Sequence, residues 1–149
     1  MKKAIITLVL MQTFLFATEN SVRVSVTGFR NDSGTAIVYF YRPGMELAGE
    51  GFVSKQAVIV NGSCTFEIQG IPDGDYAVRV LHDANSNGKM DVGLSGLEGV
   101  GVSRNKRLKG HPKFDEIRVH IDKDKRAIGI MMQYISLGDI IAGGMHHGK

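Results

Sequence analysis

Ten consecutive residues carry the pattern with the most chemical meaning in this chain: His82-Asp83-Ala84-Asn85-Ser86-Asn87-Gly88-Lys89-Met90-Asp91. Side-chain oxygens recur at Asp83, Asn85 and Asn87, a glycine follows, and Asp91 closes the run with a second carboxylate. A hard divalent cation takes about six to eight oxygen ligands, which a short loop supplies by wrapping around the ion. Asp83, Asn85 and Asn87 hold the alternating places such a loop needs, and Gly88 permits its sharp turn because it lacks a Cβ. The Lys89 carbonyl and Asp91, directly or through water, extend the set. Where a helix-loop-helix calcium site ends on a bidentate glutamate, this chain has Leu94, and Glu98 is the nearest substitute. The expected metal ligands are therefore Asp83, Asn85, Asn87, Lys89, Asp91 and Glu98, with Ca²⁺ as the ion. Two of the three leading side chains are neutral, so the expected dissociation constant is about 10⁻⁴ to 10⁻³ M. The alternative is an Asx-rich turn whose side chains bond only their own backbone.

The elements that position this loop are strands. Tyr76, Val78 and Val80 alternate with Ala77 and Arg79, and that strand runs directly into Asp83. Val22, Val24 and Val26 alternate with polar residues as a half-buried strand does, whereas residues 35–41 are apolar on both faces, as in a central strand. Asn61-Gly62, between Val58-Ile59-Val60 and residues 63–68, predicts a hairpin, because both turn residues tolerate positive φ. Further strands are expected at 116–121 and 127–134. From Asp83 to Phe114 the sequence shows no usable period and holds six glycines. A loop of that length is uncommon unless functional, and a bound ion would order it without a core. Together these signals predict an all-β fold: an antiparallel β-sandwich of about seven strands with one long ion-binding loop.

The chain begins Met1-Lys2-Lys3, followed by an apolar run from Ala4 to Phe16. That is the pattern of a signal peptide, expected to span 1–17, and it is too short to cross a bilayer. The β-sandwich domain is expected at 18–135 and a flexible tail at 136–149. The formal charge of +3 includes Lys2 and Lys3, so removing the leader brings the chain to about +1. Such a balance does not suggest nucleic acid, which needs a concentrated basic face. The single cysteine, Cys64, excludes an internal disulfide and reads as a buried, inert thiol. The expected location is periplasmic or secreted, with no transmembrane span after cleavage.

Three other constellations offer chemistry. His82, His111 and His120, with Asp83, Asp91 and Glu98, outline a metal-dependent hydrolase in which the ion activates water. The oxygen-rich loop suits Ca²⁺ or Mg²⁺ better than Zn²⁺, and His82 reads more readily as a strand-end histidine hydrogen-bonded to the loop than as a ligand. The basic run Arg104, Lys106, Arg107, Lys109 and Lys113 could meet an anionic polysaccharide or lipid surface, or simply be a solvated loop. Met145, His146 and His147 could hold copper or nickel.

The segments Pro72-Asp73-Gly74-Asp75-Tyr76-Ala77-Val78, His82 to Asp91, Glu98-Gly99-Val100-Gly101-Val102-Ser103 and Pro112-Lys113-Phe114-Asp115 together resemble one bacterial family of small exported proteins. That family carries only a domain-of-unknown-function label (domain of unknown function 2141). The resemblance implies a sandwich of the transthyretin or carboxypeptidase-regulatory type, in which a Gly-x-Tyr at a strand start is usual. The chain departs from it at Val100 and Val102, where an aromatic is common, and near Leu97, where a proline is. No activity comes with the resemblance. The resulting expectation is an exported, calcium-stabilised, non-catalytic binding or structural module of the bacterial envelope. Its partner, an envelope protein or a glycan, is not specified by the sequence.

Overall fold

The computed structural model describes residues 21–93 and 96–144; the expected leader and the Met145-His146-His147 segment lie outside them. Two sheets face each other. One has the strand order β10-β1-β4, from β1 (Val22–Thr27), β4 (Ser63–Ile68) and β10 (Ala127–Met131). The other is built around β5 (Gly74–Asp83), which pairs with β2 (Thr35–Tyr41) along one edge; β2 in turn pairs with β3 (Val53–Ala57). The far edge of β5 is shared by β8 (Val100–Val102) and β9 (Arg118–Ile121). A small hairpin, β6 (Val92–Gly93) and β7 (Gly96–Leu97), follows the Asx-rich loop. Among the described residues, a 3-10 turn (Ser103–Asn105) follows β8, and there are two α-helices, α1 (Phe114–Ile117) and α2 (Leu137–Gly144).

The all-β sandwich expected from the strand periods is present. All its pairings are antiparallel except that of β1 with β10, which is parallel. Val22, Val24 and Val26 from β1 and Phe66 and Ile68 from β4 meet Val38 and Phe40 from β2 and Val78 and Val80 from β5. Burial of such side chains contributes about 1.5–3 kcal/mol each and drives the sheets together. The two sheets are also tied at one edge, where Val100 and Gln133 exchange backbone hydrogen bonds of 2.9 and 2.8 Å.

Three expectations change. Asn61 and Gly62 do adopt positive φ, 52° and 70°, but the hairpin shrinks to the single bridge Val60–Ser63. The chain is crossing there between sheets: β3 pairs with β2 and β4 with β1, leaving Val58 and Val60 exposed. Asp32 anchors the crossing, accepting the Asn61 and Gly62 N–H groups at 2.9 and 2.8 Å. Second, residues 83–114 are not without a core, because β8 lies fully buried beside β5. Third, residues 137–144 are helical. No helix among the described residues is long and apolar enough to cross a membrane.

β5 passes from one partner to the other at Val78. Between its pairing with β9 (residues 74–77) and with β8 (79–81), the Val78 N–H donates to Ser103 Oγ at 3.0 Å. The Ser103 hydroxyl in turn donates to the Ile117 carbonyl. A buried side chain thus fills the gap that two short partner strands leave in the ladder, where an unpaired backbone amide would be costly.

Candidate functional site: the Asp83–Asp91 loop

β5 ends with Asp83, and a tight approach holds its end in place. Gly34 sits at φ +71°, and a Cβ there would lie 2.0 Å from the Asp83 carbonyl oxygen. The Asp83 side chain is buried (1% exposed) and turns into the loop it opens. Its Oδ1 accepts the Asn87 N–H at 3.0 Å and its Oδ2 the Gly88 N–H at 2.7 Å. Gly88 has φ +75° and Ser86 +58°, so the loop turns twice through the left-handed region. Asn85 Oδ1 accepts the Asn87 N–H at 3.1 Å and Asn87 Oδ1 the Lys89 N–H at 2.9 Å, each an Asx turn.

The side chains converge on Asp91. Its Oδ2 accepts the Nδ2 amides of both Asn85, at 2.7 Å, and Asn87, at 2.5 Å. Glu98 closes the loop from outside: Oε1 accepts the Ala84 N–H and Oε2 the Asp91 N–H, both at 3.0 Å, while its own N–H donates to the Asp91 carbonyl at 2.9 Å. Glu98 therefore clasps the two ends of the loop together, a role its spacing alone did not reveal. Both expected readings draw on this geometry. The Asx turns are formed, and four oxygen-bearing side chains, Asp83, Asn85, Asn87 and Asp91, share one small volume.

These donors fit a hard cation by type. Among the described residues, no three His, Cys, Asp or Glu side chains are placed to hold a metal together. A cation here would draw on the Asn carboxamides and on backbone oxygens such as that of Lys89, in addition to Asp83 and Asp91. The two amides present nitrogen to Asp91. Turning either amide to present oxygen would give up the Asx-turn bond that its Oδ1 accepts from the Asn87 or Lys89 N–H.

The histidines are not brought to the loop as a catalytic set. His82 is buried on the inner face of β5 with both ring nitrogens engaged. The Ser33 carbonyl can only accept, so His82 Nε2 carries the proton of that 2.8 Å bond. Nδ1 then accepts from the Tyr134 hydroxyl at 2.8 Å, and the same hydroxyl accepts the Arg30 N–H at 2.8 Å. Burial pushes the Tyr134 phenol up, so it stays a hydroxyl. His82 is a structural strut between the β1–β2 turn and the segment after β10. His120 pairs with Asp75 at 2.8 Å, at the opposite end of β5 from Asp83, a distance of roughly 25 Å along the strand. His111 is exposed in the loop before α1.

The basic run divides as well. Lys106 is paired with Glu116, Arg107 and Lys109 line a cavity on the outer face of the β5 sheet, and Arg104 and Lys113 are exposed. Cys64 is buried and unbridged, and its thiol is pushed up to about 11 by desolvation, as an inert thiol should be.

Fold and loop define a class: a two-sheet β-sandwich with a clasped, oxygen-lined loop at the end of its central strand. Residues 24–129 match the family described as an uncharacterized protein conserved in bacteria, domain of unknown function 2141. The chain belongs to that family. Among curated proteins and among solved structures, none matches it.

Proposed function

We propose that the protein is an exported, calcium-stabilised β-sandwich acting as a non-catalytic binding or structural module of the bacterial envelope. The observation that carries the reading is the convergence of Asn85 and Asn87 on Asp91 beside the buried Asp83 carboxylate. Hydrogen bonds within the loop hold the donors near one another, which lowers the ordering entropy an incoming ion must overcome. The leader-like start supports export, and the neutral Asn pair suits millimolar calcium outside the cytoplasm. Against a hydrolase stand the two engaged nitrogens of His82 and the remoteness of His120.

The test is thermal unfolding and calorimetry with 5 mM Ca²⁺ or with chelator. For a dissociation constant of about 10⁻⁴ to 10⁻³ M, linkage gives about 1–2 kcal/mol of stabilisation. That corresponds to a melting rise of about 3–10 °C for a domain of this size. Asp91→Asn keeps the shape and removes the charge, so the apo protein should melt nearly as before while the calcium response disappears. No heat of binding, together with an unchanged melting temperature, would leave the loop as a plain Asx turn.

A further inference from the structure

The outer face of the β5 sheet carries a second apolar layer, and a cation sits in the middle of it. Tyr39 and Val102 are the cross-strand partners of Arg79 in β2 and β8, and Ala77 and Leu81 flank it along β5. The Arg79 guanidinium lies 5.1 Å from the Tyr39 ring centre and 5.6 Å from that of Tyr41, and Nη2 donates to the Gly49 carbonyl at 3.2 Å. Its buried Nε has no acceptor, and Arg79 forms no ion pair among the described residues. Glu50 is near enough to act on the Tyr39 phenol but does not pair with the guanidinium. Ring contacts of this kind offset only part of the cost of desolvating a charge. Beyond the Gly49 carbonyl and the Tyr41 side chain, which Arg79 also engages, the half-buried guanidinium has no anionic partner among the described residues.

The same guanidinium lines a cavity of about 790 Å³, within the range of small-molecule sites. Its part-exposed apolar walls include Leu47, Leu108 and Ile135, and its cationic lining continues from Arg79 to Arg107 and Lys109; Asp139 is the acidic residue there. Apolar walls with an excess of positive charge fit a ligand that has a greasy body and one anionic head. A planar carboxylate matches the fork of an arginine better than it matches a point charge. We infer that this cavity binds a small amphipathic carboxylate, with the head on Arg79 and the apolar body against Leu47, Leu108 and Ile135. Met90 of the Asp83–Asp91 loop borders this cavity, but the contacts inferred for the ligand use none of the loop's oxygen donors.

The test is calorimetric titration of the purified protein with octanoate, with octan-1-ol as the neutral counterpart and inorganic phosphate as the head alone. Octanoate should bind one to one, and octanol and phosphate each at least about 10-fold more weakly, since a charge-assisted pair is worth about 1.5–3 kcal/mol. Arg79→Met should lose octanoate affinity by about 10-fold or more while leaving weak octanol binding intact. Should Arg79→Met fail to fold, the wild-type protein still decides. Octanoate should shift the Arg79 Nε–Hε cross-peak in a ¹⁵N correlation spectrum, and octanol should not. The inference is overturned if octanoate does not bind, if octanol or phosphate binds as tightly, or if the Arg79 resonance does not respond to octanoate.

Discussion

β2 and β5 build both apolar layers of the molecule, one on each face. Inward they present Val38, Phe40, Val78 and Val80 to the facing sheet; outward they present Tyr39, Tyr41, Arg79 and Leu81 to loops and the single turn of α1. The inner layer is closed by another set of regular strands, so side chains interdigitate from both sides and His82 among them has partners at both nitrogens. The outer layer is closed by half-buried Met45, Leu47 and Leu108 from irregular chain and by Phe114 from α1. That closure leaves a cavity and a guanidinium without a carboxylate. Sheet-on-sheet packing makes a core, whereas loop-on-sheet packing leaves room for a ligand. Stability should therefore reside on one face of β5 and binding on the other.

Substitutions can break that contrast. Phe66→Ala, at a fully buried site between the sheets, should cost about 3–5 kcal/mol in urea unfolding. Ser103→Ala strands the Val78 amide and the Ile117 carbonyl, with an expected loss of about 1–3 kcal/mol. A smaller loss would mean that the break in the β5 ladder is readily hydrated. Leu108→Ala, in the covering loop, should cost only about 1 kcal/mol or less, and the amide exchange of β5 should hardly change. If Leu108→Ala matched Phe66→Ala, the covering loop would be as firmly packed as the buried cluster beneath it.

A further effect concerns pH. The Cys64 thiol, raised from 9.0 to about 11 by burial, favours the folded state while neutral. That contribution is complete below the unfolded-state value and is lost as pH rises through the folded one. The stability advantage of wild type over Cys64→Ala should therefore narrow from pH 9 to pH 11. A constant difference across that interval would place the thiol in contact with water.

Parts of this architecture were legible residue by residue. Val22, Val24 and Val26 announce a half-buried strand because alternate side chains leave a strand on opposite faces, and 35–41 announces a central one because both of its faces are apolar. The Asx spacing of Asp83, Asn85, Asn87 and Asp91 likewise foretold a loop whose side chains turn inward, since those bonds span only a few residues. β8 was not legible. Gly99 and Gly101 break the period, and their reason lies elsewhere: a Cβ at Gly99 would lie 2.5 Å from the Tyr134 ring, and one at Gly101 2.5 Å from Ile130. The clasp by Glu98 was equally hidden, because it depends on β8 carrying the chain back along β5.

By itself the order of residues determined what local chemistry can determine: strand periods, left-handed turns at Asn61-Gly62 and Gly88, and an oxygen-lined loop after β5. Only the tertiary structure decided that the Asn61-Gly62 turn changes sheets, that His82 is a strut, and that Arg79 stands in a cavity rather than in water. Each of these depends on partners 20 or more residues away along the chain. No local period or propensity encodes which distant side chain will arrive to satisfy a buried group.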